Sequence, residues 1–425
     1  VERVLAYPSE TGAGDCGAPL CIVDNTSFKG HSICGIHIAG SGSPSIGFAA
    51  VVTREIVDKA LASLGIIQDC FEEDMENRKI RLESSFVLPH ALPVNSSLPL
   101  YTVEKPIFLP RDTKFYKTEL YGQWGEYTDE PALLRPIMTE EGLKYPMEKA
   151  VANYFSPVLI YEQTWLPQAI HVAMKPFTAM SSYFPRRVLS FEEAIIGIPQ
   201  EKLRAIPRGT SPGFPYVYTT TNGKKQFFGE EGDYDLTTRL AVELRERDAH
   251  IEREALKGHR LAHVFLDFNK DELRPLEKVK AMETRLISSA PLDYTVTWRR
   301  YFSSFSTAVM RLHTRIGMCP GICTYTDWGT AVEILERHGP RVFDGDFKRF
   351  DASEQPTVMR HILDFINRWY DDGEDNARVR RVLWLDLMHS RHIGGNGVDQ
   401  RHIYQWNKSL PSGHPFTTIV NSMYS

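Results

Sequence analysis

Two carboxylates lie five residues apart in Asp346-Phe-Lys-Arg-Phe-Asp351. At a strand end and in the turn beyond it, they can take different tasks in one cleft. A hard divalent cation such as Mg²⁺ requires carboxylate oxygens, which suits Asp346, while Asp351 can reach a sugar hydroxyl. A solvated acidic turn would show the same pattern. In Pro411-Ser-Gly-His-Pro-Phe-Thr-Thr-Ile-Val-Asn421, Ser412 and Gly413 form a turn before a helix that carries Thr417 and Asn421 one turn apart on one face. Such groups suit a ribose hydroxyl, or simply a loop and a helix cap. Lys270-Asp-Glu-Leu-Arg274, with Lys278, Lys280 and Arg285 beyond it, can neutralise a triphosphate. The interleaved Asp271, Glu272, Glu277 and Glu283 also fit an exposed, salt-bridged face. Thr210-Ser-Pro-Gly-Phe-Pro215 is a constrained turn in which Thr210, Ser211 and Gly213 can guide a template strand, or serve as a plain loop. Near the start, Gly14-Asp15-Cys16-Gly17 sets a cysteine among small residues whose backbone N–H groups can face an oxyanion, and His37 follows in Gly35-Ile-His-Ile-Ala-Gly40. A buried structural cysteine and a satisfied histidine are the plainer alternative.

The elements that must position these groups are legible from spacing. Residues 341–347 read as a strand leading into the turn at Asp351. Residues 330–338 read as a short helix. Val358, Ile362, Phe365, Ile366 and Trp369 recur at helical spacing, predicting an amphipathic helix over 356–370 with Pro356 in its first turn. A second helix is expected over 376–388. Ile393 and Ile403-Tyr404 flank Gly394-Gly-Asn-Gly397 as a hairpin. Residues 1–65 have all-β texture, with strands expected at Leu20-Cys-Ile-Val23 and Ile46-Gly-Phe-Ala-Ala-Val-Val52. Residues 66–105 read as a charged, Pro-containing junction, and 106–425 as mixed α and β.

The chain has 425 residues, 42% hydrophobic and 24% charged, which suits more than one soluble globular domain. A net charge of -5 excludes a uniformly basic surface, so nucleic acid would need a local basic channel. Six scattered cysteines argue against a disulfide framework and for a reducing compartment. Cys319 and Cys323 lack a second Cys or His pair at finger spacing, so no zinc is expected. Thr297-Trp-Arg-Arg-Tyr-Phe302 can stack on RNA bases or pack inward as a helix. No apolar run is long enough for a membrane span, and both ends read as cuts in a longer precursor.

The four motifs at 210–215, 270–285, 346–351 and 411–421, in that order, resemble the polymerases of picorna-like viruses, dicistrovirus-like members above all. The resemblance covers about residues 100–425. It implies a fused, multidomain chain: an all-β chymotrypsin-like half-barrel over 1–65, then an α+β right-hand RNA-dependent RNA polymerase with fingers, a partial palm and no thumb. By this resemblance Asp346 holds Mg²⁺ or Mn²⁺. Asp351, Ser412, Thr417 and Asn421 check the ribose 2′-hydroxyl. Lys270, Arg274, Lys278 and Arg285 grip the incoming triphosphate, with Glu283 standing where a basic residue is expected. Thr210, Ser211 and Gly213 match the template-entry loop. The Gly-Asp-Asp turn of the family does not occur before Ser425, so the fragment is expected to be inactive alone.

Gly14 to Gly17 and Gly35 to Gly40 resemble the second barrel of viral chymotrypsin-like cysteine proteases. That likeness implies Cys16 as nucleophile, the backbone of Gly14, Asp15 and Cys16 as oxyanion hole, and Thr11 with His37 lining the substrate pocket. The general base would lie upstream of Val1. Implied partners are template and product RNA, ribonucleoside triphosphates, a viral protein primer and the viral polyprotein as protease substrate. The implied setting is the host cytoplasm, at membrane-associated replication complexes. A reverse transcriptase-like polymerase and a non-catalytic RNA-binding or host-interaction module are the competing classes.

Overall fold

The computed structural model describes residues 4–8, 18–22, 32–42, 45–53, 56, 80–82, 97–103, 112–123, 125–155, 164–337, 339–394 and 402–425. The chain divides into two compact units, Val1–Gln68 and Asp69–Ser425.

The first unit holds a four-stranded antiparallel sheet of β1 (Val4–Pro8), β2 (Pro19–Ile22), β3 (Ser32–Gly42) and β4 (Ser45–Val51), in the order β1-β4-β3-β2. Gly35 and His37 on β3, and Gly47 and Ala49 on β4, are buried, and each intervening residue is more exposed. This is the period-two pattern of a sheet covered on one face. Both strands expected from the β-branched runs are present.

The second unit is built on a six-stranded sheet of order β12-β10-β13-β14-β6-β5. Its strands are β5 (Ile80–Leu82), β6 (Ser97–Val103), β10 (Val264–Asn269), β12 (Leu286–Ser289), β13 (Arg391–Ile393) and β14 (His402–Trp406). Small ribbons pair β7 (Asp129–Pro131) with β11 (Leu273–Pro275) and β8 (Ile137–Thr139) with β9 (Gly142–Lys144). β10 runs parallel to β13, and the other pairs are antiparallel. The stretch 66–105, read from sequence as a junction, thus supplies two strands of this sheet. β5 pairs with β6, and β6 pairs with β14 far along the chain, a partner that no local signal could announce.

The helices used below are α1 (Pro146–Ala152), α2 (Lys225–Phe228), α3 (Arg239–Leu256), α4 (Leu276–Lys280), α5 (Leu292–Arg311), α6 (Trp328–Glu336), α7 (Phe350–Ser353), α8 (Pro356–Tyr370), α9 (Glu374–Met388) and α10 (Thr417–Tyr424). α8 matches the expected amphipathic helix, with proline opening its first turn. The central α5 buries Trp298, Tyr301 and Phe302. Trp298 stacks on Phe302 with centroids 3.9 Å apart and meets Trp384 of α9 at 5.5 Å. These aromatic faces are spent on the core, so the RNA-stacking alternative for 297–302 falls. Beneath the sheet, the carboxylate of Asp386 on α9 accepts from Arg260 Nε at 2.8 Å and bonds His263 Nδ1 at 2.7 Å.

The expected strand at 341–347 is absent. Val342, Phe343 and Phe347 are exposed, Phe343 at 97% of its surface, and the segment pairs with no described strand. An extended run becomes a strand only where another edge satisfies its N–H and C=O groups.

Candidate active site

The site is organised by the end of β12 and the link into α5. On one loop, Gly213 has φ +75, and a Cβ there would collide with the carbonyl oxygen of Ala290. Only glycine fits that turn. The N–H of Leu292 donates to Pro212 O at 2.9 Å, and Phe214 is buried with Val264, Leu266, Ile393 and Ile403. On the second loop, Ser288 N–H donates to Ser412 O at 2.7 Å. Gly413 has φ +126, with Ser288 O only 2.6 Å from where its Cβ would stand. The Thr210–Gly213 and Ser412–Gly413 turns, remote in sequence, are therefore locked onto the same short stretch, 288–292.

Asp351 joins them through the backbone. Its carbonyl accepts Leu410 N–H at 2.8 Å, and Glu354 O accepts Ser409 N–H at 2.9 Å. These bonds hold α7 against the chain that leads into Ser412. The Asp351 side chain accepts from Tyr154 OH at 2.7 Å and from Ala352 N–H at 3.0 Å. Tyr154 stacks on Trp406 at 4.3 Å and 10°. Burial raises the Asp351 pKa above the usual carboxylate value, while the Tyr154 bond and the charge of Arg285 oppose that rise. Glu354 is entirely buried, and neither carboxyl oxygen has a hydrogen-bond partner. Burial, and then the nearby Asp351, push its pKa up to about 9, so it is a neutral acid at pH 7.

On α10, Thr417 and Asn421 stand one turn apart as expected. The Thr417 hydroxyl donates to His414 O at 2.8 Å, so its proton is used within its own turn. Asn421 Oδ1 is buried without a partner. Tyr424 OH accepts Gln355 N–H at 2.9 Å, which fastens α10 to the start of α8.

The basic residues gather around one carboxylate. Glu272 pairs with Arg285, with Lys270 at 3.2 Å and, more loosely, with Arg274 at 4.0 Å. Burial would raise the Glu272 pKa, but Arg285 and Lys270 outweigh it and hold it low. Arg274 also donates to Glu283 O at 3.3 Å. Lys278 is exposed on α4 and has no ion pair among the described residues. The salt-bridged alternative thus describes Lys270 and Arg285 here, and an incoming triphosphate would have to compete with Glu272.

Residues 129–425 match the family model described as viral RNA-dependent RNA polymerase. The chain belongs to this polymerase family. It is 29% identical over 98% of its length to a replicase polyprotein of Acute bee paralysis virus (strain Rothamsted) and 28% identical over 99% to that of Drosophila C virus (strain EB). It is also 28% identical over 98% of its length to a genome polyprotein of Rice tungro spherical virus (strain Vt6). It spans 22%, 24% and 12% of those three proteins, so it corresponds to a minor part of each. The solved Sicinivirus 3Dpol RNA dependent RNA polymerase shares the fold, with a TM-score of 0.60 over 75% of this chain and 63% of that one, at 23% identity.

All four motifs read from sequence fall inside the stretch that matches the polymerase family. Asp346 is exposed and makes no hydrogen bond or ion pair among the described residues. An unengaged, water-facing carboxylate fits Mg²⁺, which keeps several waters and takes one or two carboxylates plus phosphate oxygens. Among the described residues, no group of three His, Cys, Asp or Glu is assembled to hold a metal. In the first unit, His37 is buried and its Nδ1 bonds Tyr7 OH at 2.7 Å. Thr11, Gly14, Asp15 and Cys16 lie outside the described residues, as do Gly395 to Gly397 of the expected hairpin turn. No described helix is long and apolar enough to cross a membrane.

Sequence reasoning missed Tyr154 and Glu354. Tyr154 stands 197 residues from its partner Asp351, and no local pattern marks it. Glu354 reads as one more surface acid until its burial is seen.

Proposed function

We propose that the chain carries the nucleotide-addition site of a viral RNA-dependent RNA polymerase, adding ribonucleoside triphosphates to an RNA 3′ end on an RNA template and releasing pyrophosphate. The observation that carries this reading is the locking of the Thr210–Gly213 and Ser412–Gly413 turns onto 288–292, with Asp351 tied to the second of them. Template and sugar contacts are thereby set in one frame. Asp351 and Asn421 select ribose: one offers a half-buried carboxylate, the other a buried amide oxygen without a partner, and both suit a hydroxyl donor. Ser412 supports them through its backbone bond to β12. Lys270, Arg274, Lys278 and Arg285 take the triphosphate, Glu272 being displaced as the phosphates arrive. Asp346 is the ligand for Mg²⁺ or Mn²⁺, which when bound supplies the charge that stabilises phosphoryl transfer.

Template and product RNA are the partners, with a viral protein primer and membrane-associated replication complexes in the host cytoplasm as the setting. The first unit is read as the remnant of a cysteine protease, with Cys16 as nucleophile, the backbone at Gly14 and Asp15 as oxyanion hole, and Thr11 and His37 at the substrate pocket. The viral polyprotein would be its substrate. The division of the chain after Gln68 supports processing near Gln68-Asp69. Sequencing the N-terminus released by the complete protease tests this, and a start beyond residue 110 would sink it.

The sugar assignment is tested with Asn421→Ala in the full-length polymerase. Incorporation of ATP should fall more than that of dATP, narrowing discrimination by about tenfold, as the loss of one buried hydrogen bond allows. Equal loss with both sugars would remove Asn421 from ribose selection.

A further inference from the structure

His414 lies between the Ser412–Gly413 turn and α10, and the proposed nucleotide-addition site does not use its side chain. It is only 4% exposed. Its backbone orders the chain on both sides. The His414 N–H donates to Pro411 O at 3.0 Å, and His414 O accepts Thr417 N–H at 3.1 Å and the Thr417 hydroxyl at 2.8 Å. The imidazole is seated in the aromatic core, perpendicular to the ring of Trp298 with centroids 4.3 Å apart.

Both ring nitrogens are engaged, and their partners decide which one carries the proton. Phe416 N–H can only donate and stands 3.1 Å from Nδ1, so Nδ1 is the bare acceptor and the ring is neutral. Nε2 therefore bears the hydrogen and donates to Tyr294 OH at 2.9 Å. Tyr294 OH in turn donates to Leu383 O at 3.1 Å. Every donor in this run has its acceptor, and the run fastens the residues that open α10 to α5, through Tyr294, and to α9, through Leu383. The Ser412–Gly413 turn is thus bounded on two sides. Ser288 N–H holds Ser412 O at the end of β12, and the imidazole holds the residue that follows Gly413.

We infer that His414 is a positioning residue for ribose selection, its imidazole pegging the start of α10, and through that helix Asn421, to Tyr294 of α5. The role given to Asn421 rests on the polymerase reading, whereas the tie between His414 and Tyr294 does not. Asn421 stands one turn into α10, so the placement of the first turn sets the placement of its amide. A hydrogen bond to a 2′-hydroxyl needs its acceptor within about 3 Å and well aligned, and it weakens steeply with misalignment. Loosening the peg therefore costs the reading of the sugar first. Contacts to phosphates lie on other elements, at Lys270, Arg274, Lys278 and Arg285, and are kept.

Nitrogen-15 spectra of the histidine-labelled 425-residue chain test the tie, with His414→Phe identifying the signals by their loss. At pH 7 His414 should carry its proton on Nε2 and leave Nδ1 bare, and Tyr294→Phe should shift the Nε2 signal. A proton on Nδ1 would overturn the inference. Single-nucleotide extension with ATP and dATP by the full-length polymerase tests the role. Tyr294→Phe should lower the ATP/dATP ratio of kcat/KM about fivefold, the contribution of one buried neutral hydrogen bond. His414→Phe keeps a ring beside Trp298 but removes both bonds, and should lower the ratio about tenfold. The double variant should fall no further than His414→Phe alone, because the two residues act through one bond. Circular dichroism confirms that each variant is folded, and Tyr294→Phe decides the matter if His414→Phe does not fold. A native ratio in Tyr294→Phe, with only a lower melting temperature, would make the tie purely structural and overturn the inference. So would a double variant that loses the product of the two single losses. A native polymerase without preference for ATP over dATP would instead remove the ribose reading itself, and the positioning role with it.

Discussion

Replacing Tyr154 by Phe deletes one hydroxyl and leaves the ring stacked on Trp406. That hydroxyl is 2.7 Å from Asp351 Oδ2 and is the side-chain donor that holds this carboxylate. A hydrogen bond to a charged group contributes about 1.5–3 kcal/mol, part of which returns as the site relaxes. If Tyr154 sets the Asp351 orientation used to read the sugar, Tyr154→Phe should cut the ATP/dATP ratio of kcat/KM by roughly 5- to 20-fold, about 1–1.8 kcal/mol of transition-state discrimination. RNA affinity should not move. The pH dependence follows from the same bond. Burial already raises the Asp351 pKa, and Tyr154 is among the groups opposing that rise, so its loss raises the pKa further. A smaller fraction of Asp351 is then ionised as pH falls, and the defect should be larger at pH 6 than at pH 8. The assay is single-nucleotide extension of a primed RNA template by the full-length polymerase. A lower melting temperature with an unchanged ATP/dATP ratio would show that the bond serves stability alone and would refute the reasoning.

Glu354→Gln should change the pH dependence of stability. Because the folded-state pKa, about 9, lies above the ordinary carboxyl value, Glu354 favours folding at low pH, and that contribution is lost as pH rises from about 4.5 to about 9. The variant should lack this loss and gain on the native chain across that range in urea denaturation, and parallel curves would contradict it. Asp386→Ala should destabilise the fold by about 3–5 kcal/mol, because it removes the carboxylate that Arg260 and His263 share in the interior. Although burial opposes it, Arg260 and His263 hold the Asp386 pKa down to about 2, so in the native chain this contribution persists above the ordinary carboxyl value and disappears as pH falls towards 2. A loss below 1 kcal/mol at pH 7 would show that the network contributes little.

Periodic elements were legible because their signal is local. Five apolar residues at helical spacing marked α8, and Ile393 pairs with Ile403 as the flanking runs implied. The start of α9 at Glu374 rather than 376 reflects acidic residues opening the helix, where the dipole favours them. Residues 341–347 show the opposite case, since a short run with Val342, Phe343 and Phe347 marks a capacity for pairing and cannot name the partner. Gly213 and Gly413 were legible as turn residues, but the strand end onto which both close was not. Nor does the sequence distinguish Lys224 from Lys225: one is sealed behind the Thr210–Gly213 turn and the other pairs at the surface with Glu230. Tyr154, Glu354 and Lys224 all act through tertiary contacts, and each would pass as ordinary composition.

Asp346 is the residue on which metal-assisted nucleotide addition depends most directly in the proposed site. In the full-length polymerase, Asp346→Ala should lower nucleotide addition by orders of magnitude at saturating Mg²⁺, because phosphoryl transfer depends on metal charge to stabilise its transition state. RNA affinity at fixed salt should stay within about twofold, because binding draws on basic contacts to phosphates. Nucleotide addition left intact by Asp346→Ala would contradict the account.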